Sequence, residues 1–277
     1  MRIMPRRLAL FGGAIIGQIG WILRIRRQIV ISNLKQALPK AEYRHLKKIG
    51  AKSARNFGRT MVEFVRFDGK DRNRLDEIVS LEGAEDLRKA LDHKRGALVL
   101  TGHLGAWALY FTALAAEKIP IALLVGRQHN PKVDKFIHSI PGDSVTLIPK
   151  GRSAIRKIVK CLEEGACVVM VADQHAGRTG IMSPFLGKDT PTLALPGSFV
   201  AKRNPPVFLM NGHRTDRGRH KVMVKPIEIP ECPCNDSLKT EVTHCYNKAI
   251  GQAVLAHPEQ YFWYHRRWRD TDEAIAS

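Results

Sequence analysis

The chain has 277 residues, 44% of them hydrophobic and 26% charged, and its 22 glycines and 15 prolines follow no low-complexity period. That composition excludes a disordered or fibrous polypeptide, and the length suits one α/β core with a short additional segment. Lysine and arginine number 45 against 26 aspartates and glutamates, a formal charge of +19, so the preferred partner is a polyanion or an anionic surface. The five cysteines, Cys161, Cys167, Cys232, Cys234 and Cys245, form no paired C-x-x-C sets. Their pattern argues against a disulfide framework or structural zinc and for a reducing compartment.

Residues 1–41 hold eight lysines and arginines and no acid, and they enclose the apolar stretch 8–23, whose only polar side chain is Gln18. As a helix this stretch reaches ~24 Å at ~1.5 Å per residue, short of the ~30 Å hydrocarbon core. An interfacial or just-spanning membrane helix is therefore expected, with Trp21, Arg24, Arg26 and Arg27 anchoring its C-terminal end among headgroups. A buried N-terminal helix is the alternative. A cleaved signal peptide fits less well, because no small-residue cleavage site precedes the basic cluster. Gly13 and Gly17 form a G-x-x-x-G pair, but four glycines in sixteen residues make that spacing cheap to obtain.

Further along, periodicity predicts an amphipathic helix over 41–65 and more helix over 75–92 with a turn near Gly83. Short apolar strands then alternate with helices. Strands are expected at 97–101, 121–125, 145–148 and 166–172, and helices at 104–117, 131–138 and 153–164. A helix over 195–202, strands at 206–212 and 221–226 and a closing helix over 238–255 complete the pattern. It describes an α/β fold with a mainly parallel central sheet and helices on both faces. No repeat or linker divides the chain beyond residues 1–40, the membrane-associated segment, and 41–277, the α/β domain.

Sites in such sheets lie beyond the carboxyl ends of strands. The rule singles out Thr101-Gly102-His103, Gly126-Arg127 and Asp173-Gln174, each directly after a predicted strand. His103, flanked by Gly102 and Gly105, is placed either to act as a general base or simply to cap the junction. Arg127, Lys150, Arg152 and Arg156 either bind an anionic headgroup, since guanidinium matches phosphate bidentately, the role favoured for Arg127, or form a solvated basic face, the role favoured for the other three. An acid ending an apolar strand must be hydrogen bonded. Asp173 therefore either orders the loop after it, the role favoured, or reaches toward His103. No histidine or cysteine pair has metal-site spacing, so neither metal nor cofactor is expected. Helix-turn-helix, RNP and zinc signatures are missing, which argues against nucleic acid.

Gly102, His103, Gly105 and Trp107 resemble the catalytic motif of the lysophospholipid acyltransferase superfamily, in the branch of late lipid A acyltransferases. The likeness runs on through residues 26–39, Arg127 with Asn130-Pro131, Asp173-Gln174, Gly177-Arg178, residues 184–187 and Tyr264-His265-Arg266-Arg267-Trp268. It implies acyl transfer from an acyl carrier protein or coenzyme A thioester to a hydroxyl of an anionic glycolipid or phospholipid. It also implies the cytoplasmic face of a bacterial inner membrane, His103 as base, and substrate contacts from Gly105, Trp107, Arg127, Arg152, Asp173 and Gln174. The chain departs from the motif at one position: five residues beyond His103, where the family has Asp or Glu, stands Ala108. Three readings follow: an enzyme weakened by the substitution, one that orients His103 with another group such as Asp173 or a backbone carbonyl, or a silent lipid- or partner-binding homologue. On the carboxylate argument, Ala108→Glu is expected to speed turnover.

Overall fold

A computed structural model describes residues 4–66, 75, 77–92, 95–126, 131, 134, 135 and 145–269. Helices α1 (Arg6–Ile22), α2 (Arg27–Ala37) and α3 (Tyr43–Arg66) precede the sheet. Then come β1 (Val79–Glu82), α4 (Ala84–Asp92), β2 (Ala97–Thr101), α5 (Trp107–Ala116), β3 (Ile121–Val125), β4 (Val145–Pro149), α6 (Ala154–Glu163) and β5 (Cys167–Val171). A hairpin of β6 (Ile181–Phe185) and β7 (Lys188–Thr192) leads to α7 (Leu195–Arg203), β8 (Val207–Arg214), β9 (His220–Pro226) and α8 (Asn235–Ala256).

Seven strands form one sheet in the order β1-β9-β8-β2-β5-β3-β4. Every neighbouring pair is parallel except β8 with β9. The runs ALVLT and CVVMV are buried almost throughout, as expected of central parallel strands covered on both faces. Alternate residues divide between two cores. Leu98, Leu100, Val168 and Met170 pack toward α2, α3, α6, α7 and α8, while Ala97, Val99, Cys167 and Val169 pack toward α4 and α5. The mainly parallel α/β reading stands.

Two predicted segments differ. Residues 79–82 are strand β1 rather than helix before the turn at Gly83, because β9 offers its edge and pairs with them from Val79↔His220 to Glu82↔Met223. The β6–β7 hairpin was not anticipated, since its strands (IMSPF, KDTPT) carry prolines and little alternation. Most of the expected 131–138 helix, together with Arg127, lies outside the described residues.

The α1–α3 crossing is very close. A Cβ on Gly17 would stand 2.1 Å from the Ala54 carbonyl oxygen, and one on Gly58 2.0 Å from the Gly13 oxygen. The G-x-x-x-G spacing thus serves helix packing against α3. Trp21 is only 6% exposed, against Gly50 and Val30, with the Arg27 guanidinium 4.6 Å over its ring. That corrects the expectation of a headgroup anchor: the indole is core. The opposite side of α1 leaves Leu8, Phe11, Ile15, Ile16, Ile19 and Ile22 exposed. Among the described residues no single helix is long and apolar enough to cross a membrane, although α1 and α2, bent by 92°, pass that test together.

Candidate active site

Strand order creates the site. The chain runs β2, β3, β4, β5, yet β5 inserts between β2 and β3, and ligand sites favour such switch points. Thr101 is in register with Val171, and Ala172 N–H donates to the Thr101 carbonyl at 2.9 Å. Two residues beyond that register stand His103 and Asp173, side by side on the rim.

His103 lies on the turn before α5, as a histidine in this motif must to face a partner off the helix. Gly105 permits the turn: its φ is +60°, and a Cβ there would lie 2.2 Å from Tyr110 Oη. The Gly105 N–H donates to the Gln260 carbonyl at 3.0 Å, and its own carbonyl accepts from Thr60 Oγ1 at 3.0 Å. Next along, Ala106 N–H donates to Tyr110 Oη at 2.9 Å, and Tyr110 Oη lies 3.2 Å from His220 Nδ1. His220 Nε2 is 3.0 Å from Glu63 Oε1. Glu63 also takes Arg6 and Arg214, each at 2.5 Å. Burial pushes the Glu63 carboxyl up, but Arg214 and His220 outweigh it and hold it ionised well below the usual range. Burial likewise lowers the pKa of His220. A neutral His220 therefore donates from Nε2 to Glu63 and accepts the Tyr110 proton at Nδ1. This buried set braces the turn from beneath.

Asp173 is the partner that Ala108 does not supply. Its Oδ1 sits 2.7 Å from His103 Nδ1, and its Oδ2 accepts the His103 backbone N–H at 2.8 Å. Of its two sequence readings, the reach toward His103 is the one seen. The carboxylate is 1% exposed. Burial pushes its pKa up, but the His103 charge, its hydrogen bonds and that of Tyr261 draw it down to about 2. With Nδ1–H committed to Asp173, Nε2 presents a lone pair, and Gln174 Nε2 lies 3.4 Å from it. The imidazole keeps 18% of its surface open, bounded by Trp107 edge-on at 5.0 Å and Phe262 at 5.9 Å.

The C-terminal segment, whose tight arrangement pattern reading did not foresee, closes the site. Phe262 N–H donates to the His103 carbonyl at 3.0 Å. Asn33 Nδ2 donates to the carbonyls of Trp263 (2.8 Å) and His265 (2.7 Å), and Ser53 Oγ donates to that of Tyr261 (2.7 Å). Arg267, 2% exposed, donates to the backbone oxygens of Gln174 (3.2 Å) and Pro191 (2.8 Å), fixing the loop that follows Asp173. The dense aromatics of residues 261–264 were the available signal. For Glu63 the signal was its being the one acid in residues 43–66.

Phe262, whose ring lies 5.9 Å from that of His103, is one wall of an apolar groove of about 500 Å³ lined also by α1 (Ile16, Gly20), α3 (Phe57, Met61, Val65) and Arg26. Arg24, Arg26, Arg27, Lys35 and Arg266 line a cationic recess that shares Arg26. Gly105 and Trp107 are thus brought to His103 together with Asp173 and Gln174, whereas Arg152 is exposed after β4, three strands from β2. Among the described residues no three His, Cys, Asp or Glu side chains gather as a metal site.

A carboxylate-paired imidazole at the switch point of a parallel sheet is the constellation of a site suited to proton transfer. The profile of the bacterial lipid A biosynthesis acyltransferases matches residues 1–270. The chain belongs to that family and is an acyltransferase, using an acyl donor and a lipid A-like acceptor. It is similar to the lipid A biosynthesis palmitoleoyltransferase of Escherichia coli K12, 24% identical over 271 residues, 96% of this chain and 86% of that protein. The lipid A biosynthesis acyltransferase of Shigella flexneri matches with the same figures. The lipid A biosynthesis lauroyltransferase of Escherichia coli K12 is 22% identical over 263 residues, 92% and 83% of the two chains.

Proposed function

We propose that His103 is the general base of a transfer that moves a fatty acyl chain from an acyl carrier protein or coenzyme A thioester to a hydroxyl of a lipid A precursor-like glycolipid. His103 Nε2 takes the hydroxyl proton, and the alkoxide adds to the thioester carbonyl. The oxyanion collapses, expelling a thiolate that recovers the proton from His103. Asp173 keeps Nδ1–H pointed inward and stabilises the imidazolium formed in the first step. Gln174 amide N–H, beside Nε2, is the candidate donor to the oxyanion, and the acyl tail lies in the groove between α1 and α3. Trp107 packs against the acceptor, Gly105 sets the turn, and Arg127 and Arg152 serve the anionic headgroup.

The exposed apolar stripe of α1, with Arg24, Arg26 and Arg27 at its end, supports an interfacial helix docked on the cytoplasmic face of a bacterial inner membrane. An acidic carrier protein also suits the cationic recess. The observation that carries the reading is the Asp173–His103 pair, whose imidazole lies 5.9 Å from the Phe262 ring that lines an apolar groove.

Ala108 favours the second reading, a silent lipid-binding homologue. The discriminating experiment supplies acyl thioester and under-acylated lipid A to the membrane-bound chain. Turnover abolished by His103→Ala supports the enzyme, and binding of both ligands without any turnover supports the rival.

A further inference from the structure

On the side of α3 turned away from the acyl groove lies a second concavity of about 660 Å³, a size suited to a small ligand. Lys52, Arg55 and Arg59 reach it from α3, Arg7 from α1, Arg214 from the end of β8 and Arg217 from the β8–β9 turn. Two carboxylates, Asp216 and Glu259, also line it, so cations outnumber acids three to one. Glu63 holds Arg214 in place, and Arg55 donates to Gln18 at 2.9 Å. Arg7, Lys52, Arg59 and Arg217 form no ion pair among the described residues. Burial, then the charges of Arg214 and Arg55, lower the pKa of Arg59 against the opposing charge of Glu63, as expected where like charges converge in excess.

We infer that this concavity is a binding site for a phosphate group, supplied by the headgroup of an anionic membrane lipid or by free phosphate. Guanidinium groups arriving from three elements offer forked donors to its oxygens. The rim favours the lipid as source. Leu10 and Phe11 of α1 border the pocket, and Phe11, 64% exposed, continues the apolar stripe, so a headgroup here would have its tails beside that face. The site is separate from the His103 groove. Only the choice of a lipid source rests on membrane docking of α1.

The experiment reads binding rather than turnover, so a catalytically silent chain does not obscure it. The full chain is titrated with inorganic phosphate, followed by its thermal midpoint, and with phosphatidylcholine vesicles with or without phosphatidylglycerol, followed by co-sedimentation. Losing charge-assisted bonds from two arginines, Arg55→Gln with Arg59→Gln, is expected to weaken phosphate binding by at least ~10-fold. Exposed Arg217→Gln, which leaves the fold untouched, weakens it by several-fold, and Lys157→Gln on α6 leaves it unchanged. A parallel loss of phosphatidylglycerol preference assigns the lipid source. Loss of phosphate binding with that preference intact supports the pocket and assigns free phosphate. No stabilisation by phosphate, or equal stabilisation in Arg217→Gln and the double variant, overturns the site.

Discussion

Replacing Asp173 by asparagine keeps the volume of the side chain and removes the charge that His103 faces. The native carboxylate accepts two hydrogen bonds from His103, from Nδ1–H at 2.7 Å and from the backbone N–H at 2.8 Å, besides that of Tyr261. An amide oxygen can satisfy one, and its NH₂ then confronts the other donor, driving His103 toward the tautomer with Nε2 protonated and useless as a base. The fall of the Asp173 pKa from 3.8 to about 2 corresponds to about 2 kcal/mol in favour of the carboxylate beside its partners, or roughly 50-fold. The wrong tautomer adds to this, and the orienting acid of a serine-type triad is worth up to ~10⁴. We expect kcat for acyl transfer to fall between ~10² and ~10⁴-fold, with KM for the thioester within about 3-fold because the groove is intact. Steady-state kinetics with thioester and under-acylated lipid A provide the measurement, with a thermal midpoint as the folding control. A well-folded Asp173→Asn enzyme retaining a third or more of wild-type kcat would refute the orienting role.

With Nδ1 already occupied by Asp173, Ala108→Glu alone is now expected to change kcat by less than about 3-fold, rather than to speed it; in the Asp173→Asn background it should recover activity at least ~10-fold if the new acid reaches the ring. Gly17→Ala sets a methyl 2.1 Å from the Ala54 oxygen and should cost about 1–3 kcal/mol by overpacking, lowering the thermal midpoint; an unshifted midpoint means the two helices are not in contact. Burial lowers the pKa of His265 from 6.5 to about 4, so the fold prefers its neutral form. Its contribution is whole above pH 6.5 and is lost as pH falls toward 4, while that of Asp173 is whole above 3.8 and is lost as pH falls through about 2. Urea midpoints should decline first between pH 6.5 and 4, and His265→Gln should flatten that limb; an identical slope in the variant assigns it elsewhere. Finally, Phe11→Ser with Ile19→Ser, on the exposed side of α1, should leave the midpoint within about a degree or two and sharply reduce vesicle co-sedimentation, whereas undiminished sedimentation removes α1 as the membrane contact.

Period and punctuation in the chain were enough to place β2, β3 and β5, because a strand buried on both faces must be apolar at every position, and so to locate His103 at a strand end on a glycine-permitted turn. The positive composition of residues 1–41 and the apolar face of α1 were equally local. Partner choice was not. Asp173 lies 70 residues from His103, and only the insertion of β5 beside β2, in a register that aligns Thr101 with Val171, brings the two together. For the same reason the Gly13–Gly17 pair, Trp21, Glu63 and the 258–268 segment took their meaning from neighbours far along the chain. Burial, charge pairing and close approach depend on which surfaces meet, and sequence spacing records only which way each surface faces.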